Sequence, residues 1–123
     1  MANIYVFGSN LAGVHGAGSA RHAHKKHGAK WGVGVGPIGN SYAIPTKDEK
    51  LETMPLDVIR QHVTAFLHVA RSFPENTYDV VAIGCGLAGY KPHQIAPMFE
   101  DVPPNVMLPE EFVEILAKKE FER

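Results

Sequence analysis

The sequence predicts an α/β fold with a mixed, mostly parallel sheet, and three observations support this class. Short apolar segments typical of buried strands alternate with segments of helical periodicity along the chain. Two of the strand-like segments run directly into glycine-rich loops, and each of these loops precedes a predicted helix. The length of 123 residues suits one hydrophobic core, so we expect a single domain over residues 1–123.

The first predicted strand covers Asn3–Phe7, a β-branched and aromatic segment that ends at Gly8. Residues 8–18 are too rich in glycine for the interior of a helix or a strand. A helix with small apolar residues should follow from about Ala17 to His27, and such a face would let it lie close to a sheet. Gly28 is the expected C-terminal stop of this helix.

The segment from Trp31 to Lys47 predicts two short strands joined by a turn at Pro37–Asn40, and the second strand is Ser41–Ile44. A long helix is predicted from about Pro55 to Ser72, with proline in its first turn. The apolar stripe of this helix consists of Leu56, Ile59, Val63, Phe66, Leu67 and Ala70. We expect Trp31 and the phenylalanine side chains to lie in the core.

A further strand is predicted at Tyr78–Ile83, because its last four residues are apolar in succession, as in a strand covered on both faces. The second glycine loop, Gly84–Tyr90, follows it directly. A short helix near His93–Phe99, a last strand at Val106–Leu108 and an amphipathic helix at Pro109–Phe121 complete the prediction. The acids of the last helix lie at its start and its lysines near its end, which suits the helix dipole.

The composition excludes several classes of protein. It lies near the globular average, which is not typical of disordered or collagen-like chains. No apolar run approaches the roughly 18–20 residues needed to span a bilayer, and we see no signal peptide. The single cysteine cannot form an internal disulfide, which is typical of a reducing compartment. We therefore expect a cytoplasmic protein with no membrane partner.

The charge distribution is uneven, although the formal net charge is only −1. Residues 1–47 contain five cations and no carboxylate. Such a half suits a phosphate-bearing ligand or nucleic acid, whereas the overall balance argues against a dedicated binder of duplex DNA. Both glycine loops should lie at the same edge of the sheet, where backbone N–H groups and helix N-termini favour anions. Neither loop matches the P-loop or the dinucleotide fingerprint. Together they predict a site for phosphate or pyrophosphate.

Four residues near the loops are candidates for ligand contact, and three of them have an ordinary structural alternative. Asn10 can hydrogen-bond a ribose hydroxyl, or it can simply form a turn. His15 lies inside the first loop and can contact phosphate. Lys47 is either a nucleophile or ligand-facing cation, or a solvated loop lysine. Tyr90 either stacks on a ribose or base, or packs under the edge of the site.

The remaining reactive side chains favour ordinary structural roles. Cys85, with His93 as its base, is a candidate nucleophile, but a small residue also fits a tight turn between two glycines. The histidines His15, His22, His24 and His27 are dense enough to suggest a metal. However, residues two positions apart on a helix, such as His22 and His24, face different sides. No carboxylate or second cysteine lies nearby in the sequence to complete a zinc site. We expect a solvated basic face, no metal and no cofactor.

Three motifs occur in an order that resembles the macrodomain family. They are Asn10…Gly16-Ala-Gly18-Ser-Ala, Ser41-Tyr-Ala-Ile-Pro-Thr-Lys47 and Ala82-Ile-Gly-Cys-Gly-Leu-Ala-Gly-Tyr90. Over roughly residues 3–100 the chain is most similar to the subgroup of terminal ADP-ribose protein glycohydrolase and of the antitoxins that reverse DNA ADP-ribosylation. The resemblance implies a three-layer α/β/α fold that binds ADP-ribose, or a related nucleotide diphosphate-ribose ligand, in a cleft. An ADP-ribosylated macromolecule is a further implied partner.

By this resemblance, the segment Gly16–Ala20 faces the distal ribose and the diphosphate, and the apolar tip of the second loop closes over the ligand. The ligand-binding residues that we expect are Asn10, His15, Gly16, Ala17, Gly18, Ser19, Thr46, Gly84, Cys85, Gly86, Leu87, Ala88, Gly89 and Tyr90.

The catalytic pattern of the subgroup is matched in part. Its lysine after a strand corresponds to Lys47, and a lysine beside a sugar aldehyde carbon can form a Schiff-base-type intermediate. Ala88 stands near the position of the subgroup's loop aspartate, and Phe7-Gly-Ser-Asn10 replaces the aspartate that usually recognises adenine. The sequence therefore leaves open whether the protein hydrolyses ADP-ribosyl linkages. It also leaves open the non-catalytic sequestering of a nucleotide signal, and nucleic-acid binding through the basic N-terminal half around Arg21–Lys30.

Overall fold

The computed structural model describes residues 2–121, with side-chain environments for residues 2–118. Within this range it contains a mixed, mostly parallel sheet, as the sequence predicts. Its five strands are β1 (Asn3–Asn10), β2 (Gly36–Ile38), β3 (Ser41–Lys47), β4 (Thr77–Val80) and β5 (Val106–Met107). Their order across the sheet is β2-β3-β1-β4-β5, and only the β2–β3 pair is antiparallel.

The helices lie close to their predicted positions. They are α1 (Gly18–Lys26), α2 (Leu56–Ser72), α3 (Pro92–Ile95), which continues into a 3-10 turn at Ala96–Phe99, and α4 (Glu110–Phe121). The predicted apolar stripe of α2 is confirmed, because all of its members are buried except Leu56, which is half-buried. No described helix is both long enough and apolar enough to cross a membrane.

The side chains of β1 alternate between two hydrophobic clusters, as expected for a strand covered on both faces. Ile4 and Val6 belong to the larger cluster, which includes α2, α3, the 3-10 turn and α4. Phe7 belongs to a small cluster whose other buried members are Ala20, Ala23, Ala29 and Ala43. The alanines bring α1 close to the sheet, so that its first residues lie near the carboxyl end of β1.

Three strand boundaries differ from the sequence-based expectation. β1 continues through Gly8 to Asn10, because Gly8 pairs with Ile44 in the parallel ladder. β3 also extends beyond its predicted end, to Lys47. In contrast, β4 ends at Val80, and residues 81–83 form an irregular segment. An apolar run indicates burial, but burial beneath a loop produces the same pattern as burial in a strand.

The hairpin and two aromatic side chains also depart from prediction. Pro37 lies in β2 rather than in the turn, so the connection to β3 is the two-residue Gly39-Asn40. Trp31 and Phe73 are exposed to 54% and 48%, and their predicted core positions are wrong. Phe7, Phe66, Phe99 and Phe112 are buried as predicted, whereas the side chain of Phe121 lies outside the described part.

Candidate functional site

A cleft of about 500 Å³ opens at the carboxyl ends of the central parallel strands. From β1 the chain passes to β3, on one side of β1, and it later returns to β4, on the other side of β1. Loops that follow neighbouring strands in this way diverge, and ligands of open α/β sheets bind between them. Both glycine loops line the cleft, which agrees with their expected location at one edge of the sheet.

The structure brings most of the predicted site residues together in this cleft. Those that line it are Asn10, Gly16, Ala17, Gly18, Ser19, Thr46, Lys47, Gly84, Gly86, Leu87 and Ala88. Ala20 also lines it, as the expected ligand-facing segment Gly16–Ala20 implies. Sequence reasoning missed the other lining residues, which are Gly8, Ser9, Val14, Leu51, Val81, Ala82 and Ile83. The first glycine loop was a signal for Val14, which lies inside it, but no local pattern pointed to Leu51.

The first glycine loop is shaped by close backbone approaches and by one amide side chain. Asn10 accepts a hydrogen bond from the Val14 N–H and donates one to the Val14 carbonyl, both at 2.9 Å. Ser9 donates to the carbonyl of Gly34, and a Cβ at Gly34 would collide with the Asn10 carbonyl. Asn10 therefore forms the turn of its own loop while it also lines the cleft.

Helix α1 starts at the cleft without a side-chain cap. Its N-cap residue is Ala17, in an extended conformation, and its first turn holds no acid. The first hydrogen bond of the helix runs from the Arg21 N–H to the Ala17 carbonyl at 3.2 Å. The N–H groups of Gly18, Ser19 and Ala20 therefore have no intrahelical acceptor, and these residues line the cleft. Such a helix end carries partial positive charge and suits an anion.

The second glycine loop is a tight turn held at its base. The Tyr90 N–H donates to the Gly84 carbonyl at 2.9 Å, and the Gly89 N–H donates to the Gly86 carbonyl at 3.0 Å. Gly84 has a φ of +74°, and a Cβ there would lie 3.0 Å from Ile95 Cδ1. Between these bonds, the N–H groups of residues 86–88 donate to no acceptor within residues 2–121. They add backbone donors to the same cleft.

Two side-chain hydrogen bonds fasten this loop to the segment after β3. Thr53 Oγ1 donates to the Ala88 carbonyl at 2.9 Å, and Tyr90 Oη donates to the Met54 carbonyl at 2.6 Å. The backbones of Lys47 and Thr53 form an isolated antiparallel β-bridge in the same segment. The end of β3 and the second loop therefore hold their positions relative to each other.

Lys47 supplies the charge of the cleft. It is half-buried at the end of β3, beside Asn10 of β1. Among the described residues that line the cleft, Lys47 is the one with a charged side chain, and none of them carries a carboxylate. The nearest acid in sequence, Asp48, accepts hydrogen bonds from the N–H groups of Lys50 and Glu52 in its own turn. The lining therefore combines one cation with unpaired backbone N–H donors.

His15 lies beneath the first loop rather than among the residues that line the cleft. It is only 1% exposed, and its Nε2 donates to the carbonyls of Lys30 and Val33 at 2.8 and 3.1 Å. Its ring meets Phe7 edge to face. Its Nδ1 has no hydrogen-bond partner in the described part. In this position His15 fastens the first loop to the segment before β2.

Cys85, Gly89 and Tyr90 face an adjoining open hollow of about 560 Å³, which Lys91 and Glu111 also line. Burial raises the pKa of the Cys85 thiol, and the negative charge of Glu111 raises it further. A raised pKa favours the thiol over the nucleophilic thiolate. The arrangement therefore supports the structural role of Cys85 in a tight turn.

The histidines of α1 contact one another and aromatic rings. Nε2 of His22 lies 3.2 Å from Nε2 of His27, and His27 stacks on Tyr5 at 4.3 Å between ring centroids. Burial lowers the pKa of His27, with a smaller contribution from His22. Within the described residues, no three histidine, cysteine or acidic side chains are grouped so that they could hold a metal ion.

Comparisons of the chain with protein-family models, with curated proteins and with solved structures gave no match. The cleft itself and the motifs of its loops therefore carry the information about function. The cleft combines the uncapped end of α1, the N–H groups of the second loop that have no acceptor within residues 2–121, and Lys47.

Proposed function

We propose that the cleft binds ADP-ribose or a related nucleotide diphosphate-ribose ligand. The observation that carries this proposal is that residues of α1 and of the second loop, whose N–H groups have no acceptor within residues 2–121, line one cleft together with Lys47. A diphosphate needs several donors and a positive environment, and both are present without a competing carboxylate. The volume of about 500 Å³ lies within the range of small-molecule sites.

The loop motifs support the sugar part of the proposal. We propose a macrodomain-like, three-layer α/β/α arrangement. In support of it, α1 covers one face of the sheet and α2 covers the other. Val14, Leu51 and Leu87 line the cleft and are all well exposed, so they offer apolar surface to a ribose or a base. A ligand with both phosphate and apolar ring faces suits such a mixed lining.

Calorimetry with ADP-ribose tests the binding, and Ala17 offers a matched pair of variants. Ala17 is exposed, and its extended backbone suits an N-cap residue. Asp and Asn are comparable N-caps, so Ala17→Asp and Ala17→Asn should both keep the fold and differ by one charge. We expect Ala17→Asp to weaken binding more than about tenfold relative to Ala17→Asn, since its carboxylate repels a diphosphate. No heat at millimolar ADP-ribose in the unmodified protein would overturn the proposal.

A hydrolytic activity at Lys47 is the enzymatic extension of this proposal. An amine beside the anomeric carbon of a ribose supplies a nucleophile, but the cleft lining holds Ala88 and no carboxylate for proton transfer. ADP-ribosylated protein and ADP-ribosylated DNA are the substrates to test, with Lys47→Ala and the charge-preserving Lys47→Arg as variants. Release of ADP-ribose by the unmodified protein and by neither variant supports a nucleophilic Lys47. Equal turnover in Lys47→Ala removes it from the mechanism. If the protein instead binds the free nucleotide and releases it unchanged, the function is sequestering rather than hydrolysis.

A further inference from the structure

Trp31 is an exposed aromatic side chain whose orientation is nevertheless determined by its neighbours. Its indole is 54% exposed, and its Nε1–H donates to His24 Nε2 at 3.1 Å. Because the Ala29 carbonyl can only accept, His24 Nδ1 carries the proton of the 2.8 Å bond between them, which leaves Nε2 free to accept from Trp31. The indole also contacts the rings of His15 and His24, each at 5.9 Å between centroids. The ring is therefore fixed while much of its surface faces solvent.

This fixed ring lies next to the first glycine loop. A Cβ built on Gly16 would be 3.9 Å from Trp31 Cη2, and apart from Gly16 and its two chain neighbours no other described residue has an atom within 4 Å of it. Gly16 itself lines the cleft, as does Val14 on the same loop. Trp31 is not itself among the residues that line the cleft, but the six-membered ring of its indole lies next to Gly16, which does line it shortly before α1 begins.

We infer that Trp31 is a stacking surface for the heteroaromatic base of the nucleotide ligand, an inference that rests on the proposed function. Stacking requires a flat apolar ring that is exposed and held still, and Trp31 meets each requirement. The charged residues nearest to Trp31 in the sequence are cations, namely Lys30 and those of α1. Residues 1–47 contain no carboxylate that would repel the ligand's phosphates. Trp31 accordingly favours ligands that carry a base over a ribose phosphate that lacks one.

Calorimetric titration of the unmodified protein, Trp31→Phe and Trp31→Leu with ADP-ribose and with ribose 5-phosphate tests this inference. We expect Trp31→Leu to weaken ADP-ribose binding about tenfold, Trp31→Phe to weaken it less, and ribose 5-phosphate binding to stay the same in all three. Phe73→Leu is the matched control, since Phe73 is exposed to 48% at the C-cap of α2, just before β4 begins and thus at the end of the strands away from the cleft. It should bind both ligands like the unmodified protein.

The outcomes separate this inference from the proposed function. If the unmodified protein binds neither ligand, both fall. If it binds ADP-ribose and Trp31→Leu binds equally well, the stacking role alone is overturned. Equal weakening of both ligands by Trp31→Leu also overturns it, because the effect would then be on the loop rather than on the base. As Trp31 is the one tryptophan of the chain, a change of its fluorescence with ADP-ribose but not with ribose 5-phosphate gives independent support.

Discussion

Leu87 reaches across the cleft from the tip of the second glycine loop to Gly18 at the start of α1. Its Cδ1 lies 3.7 Å from the position that a Cβ on Gly18 would occupy, although the side chain as a whole is 69% exposed. An apolar side chain of the second loop therefore lies opposite a residue without a side chain at the start of α1, and both line the cleft.

Shortening Leu87 should weaken ligand binding without destabilising the fold. Leu87→Ala removes apolar surface that a bound ligand would cover, worth about 1 kcal/mol or roughly fivefold in affinity for ADP-ribose. Because the side chain is so exposed, the free energy of unfolding should change by less than about 0.5 kcal/mol. Calorimetry and urea unfolding measure the two effects. The control is Val113→Ala, an apolar position on α4 that is also exposed, to 50%, and does not line the cleft; an equal loss of affinity there would contradict the prediction.

Two glycines of the second loop should respond differently to alanine. Gly84 has a φ of +74°, and a Cβ there would lie 3.0 Å from Ile95 Cδ1. Gly84→Ala should therefore lower the free energy of unfolding by about 1–3 kcal/mol. Gly86 has no left-handed backbone, and no described residue other than its two chain neighbours comes within 4 Å of its Cβ position. Gly86→Ala should therefore change the free energy of unfolding by less than about 0.5 kcal/mol. Urea unfolding of the two variants measures the difference, and similar values would speak against it.

Stability should fall as the pH is lowered through the histidine range. Burial lowers the pKa of both His27 and His62 from 6.5, so the folded state disfavours their protonated forms. The two neutral histidines contribute their full stability at pH values above 6.5, the pKa that they have in the unfolded chain. This contribution is lost as the pH falls through the lower pKa values that they have in the folded state. Both side chains are partly exposed, so the effect should be modest. Unfolding curves between pH 5 and 8 would show a shallower dependence for the variant His27→Gln/His62→Gln, and an unchanged slope would refute this explanation.

Cys85 should react slowly with alkylating agents at neutral pH. Burial, followed by the charge of Glu111, raises the pKa of its thiol, and only the thiolate reacts. The rate with iodoacetamide should increase with pH and remain below that of a cysteine in a short peptide. Glu111→Gln should increase the rate at pH 8, because it removes the smaller of the two causes. A faster reaction than the peptide at pH 7 would mean that the thiol is activated.

Local sequence patterns predict some elements of this fold reliably and others not. The helical spacing of Ile59, Val63 and Phe66 predicted α2 closely, because an amphipathic helix shows its buried face in the sequence. The run at residues 80–83 did not distinguish a strand from a buried loop, and β4 ends at Val80. Trp31 was expected in the core because large aromatic residues are usually buried, whereas its hydrogen bond to His24 depends on the position of α1.

The sequence by itself determined the alternation of strands and helices, the position of both glycine loops and the absence of acids before Asp48. These features follow from local periodicity, backbone conformation and composition. Only the tertiary structure decided that α1 begins uncapped beside Lys47, that His15 lies under the loop, and that Leu51 joins the cleft. Those relationships depend on the parallel pairing of β1 with both β3 and β4. Such pairing joins residues far apart in the chain, so no local pattern records it.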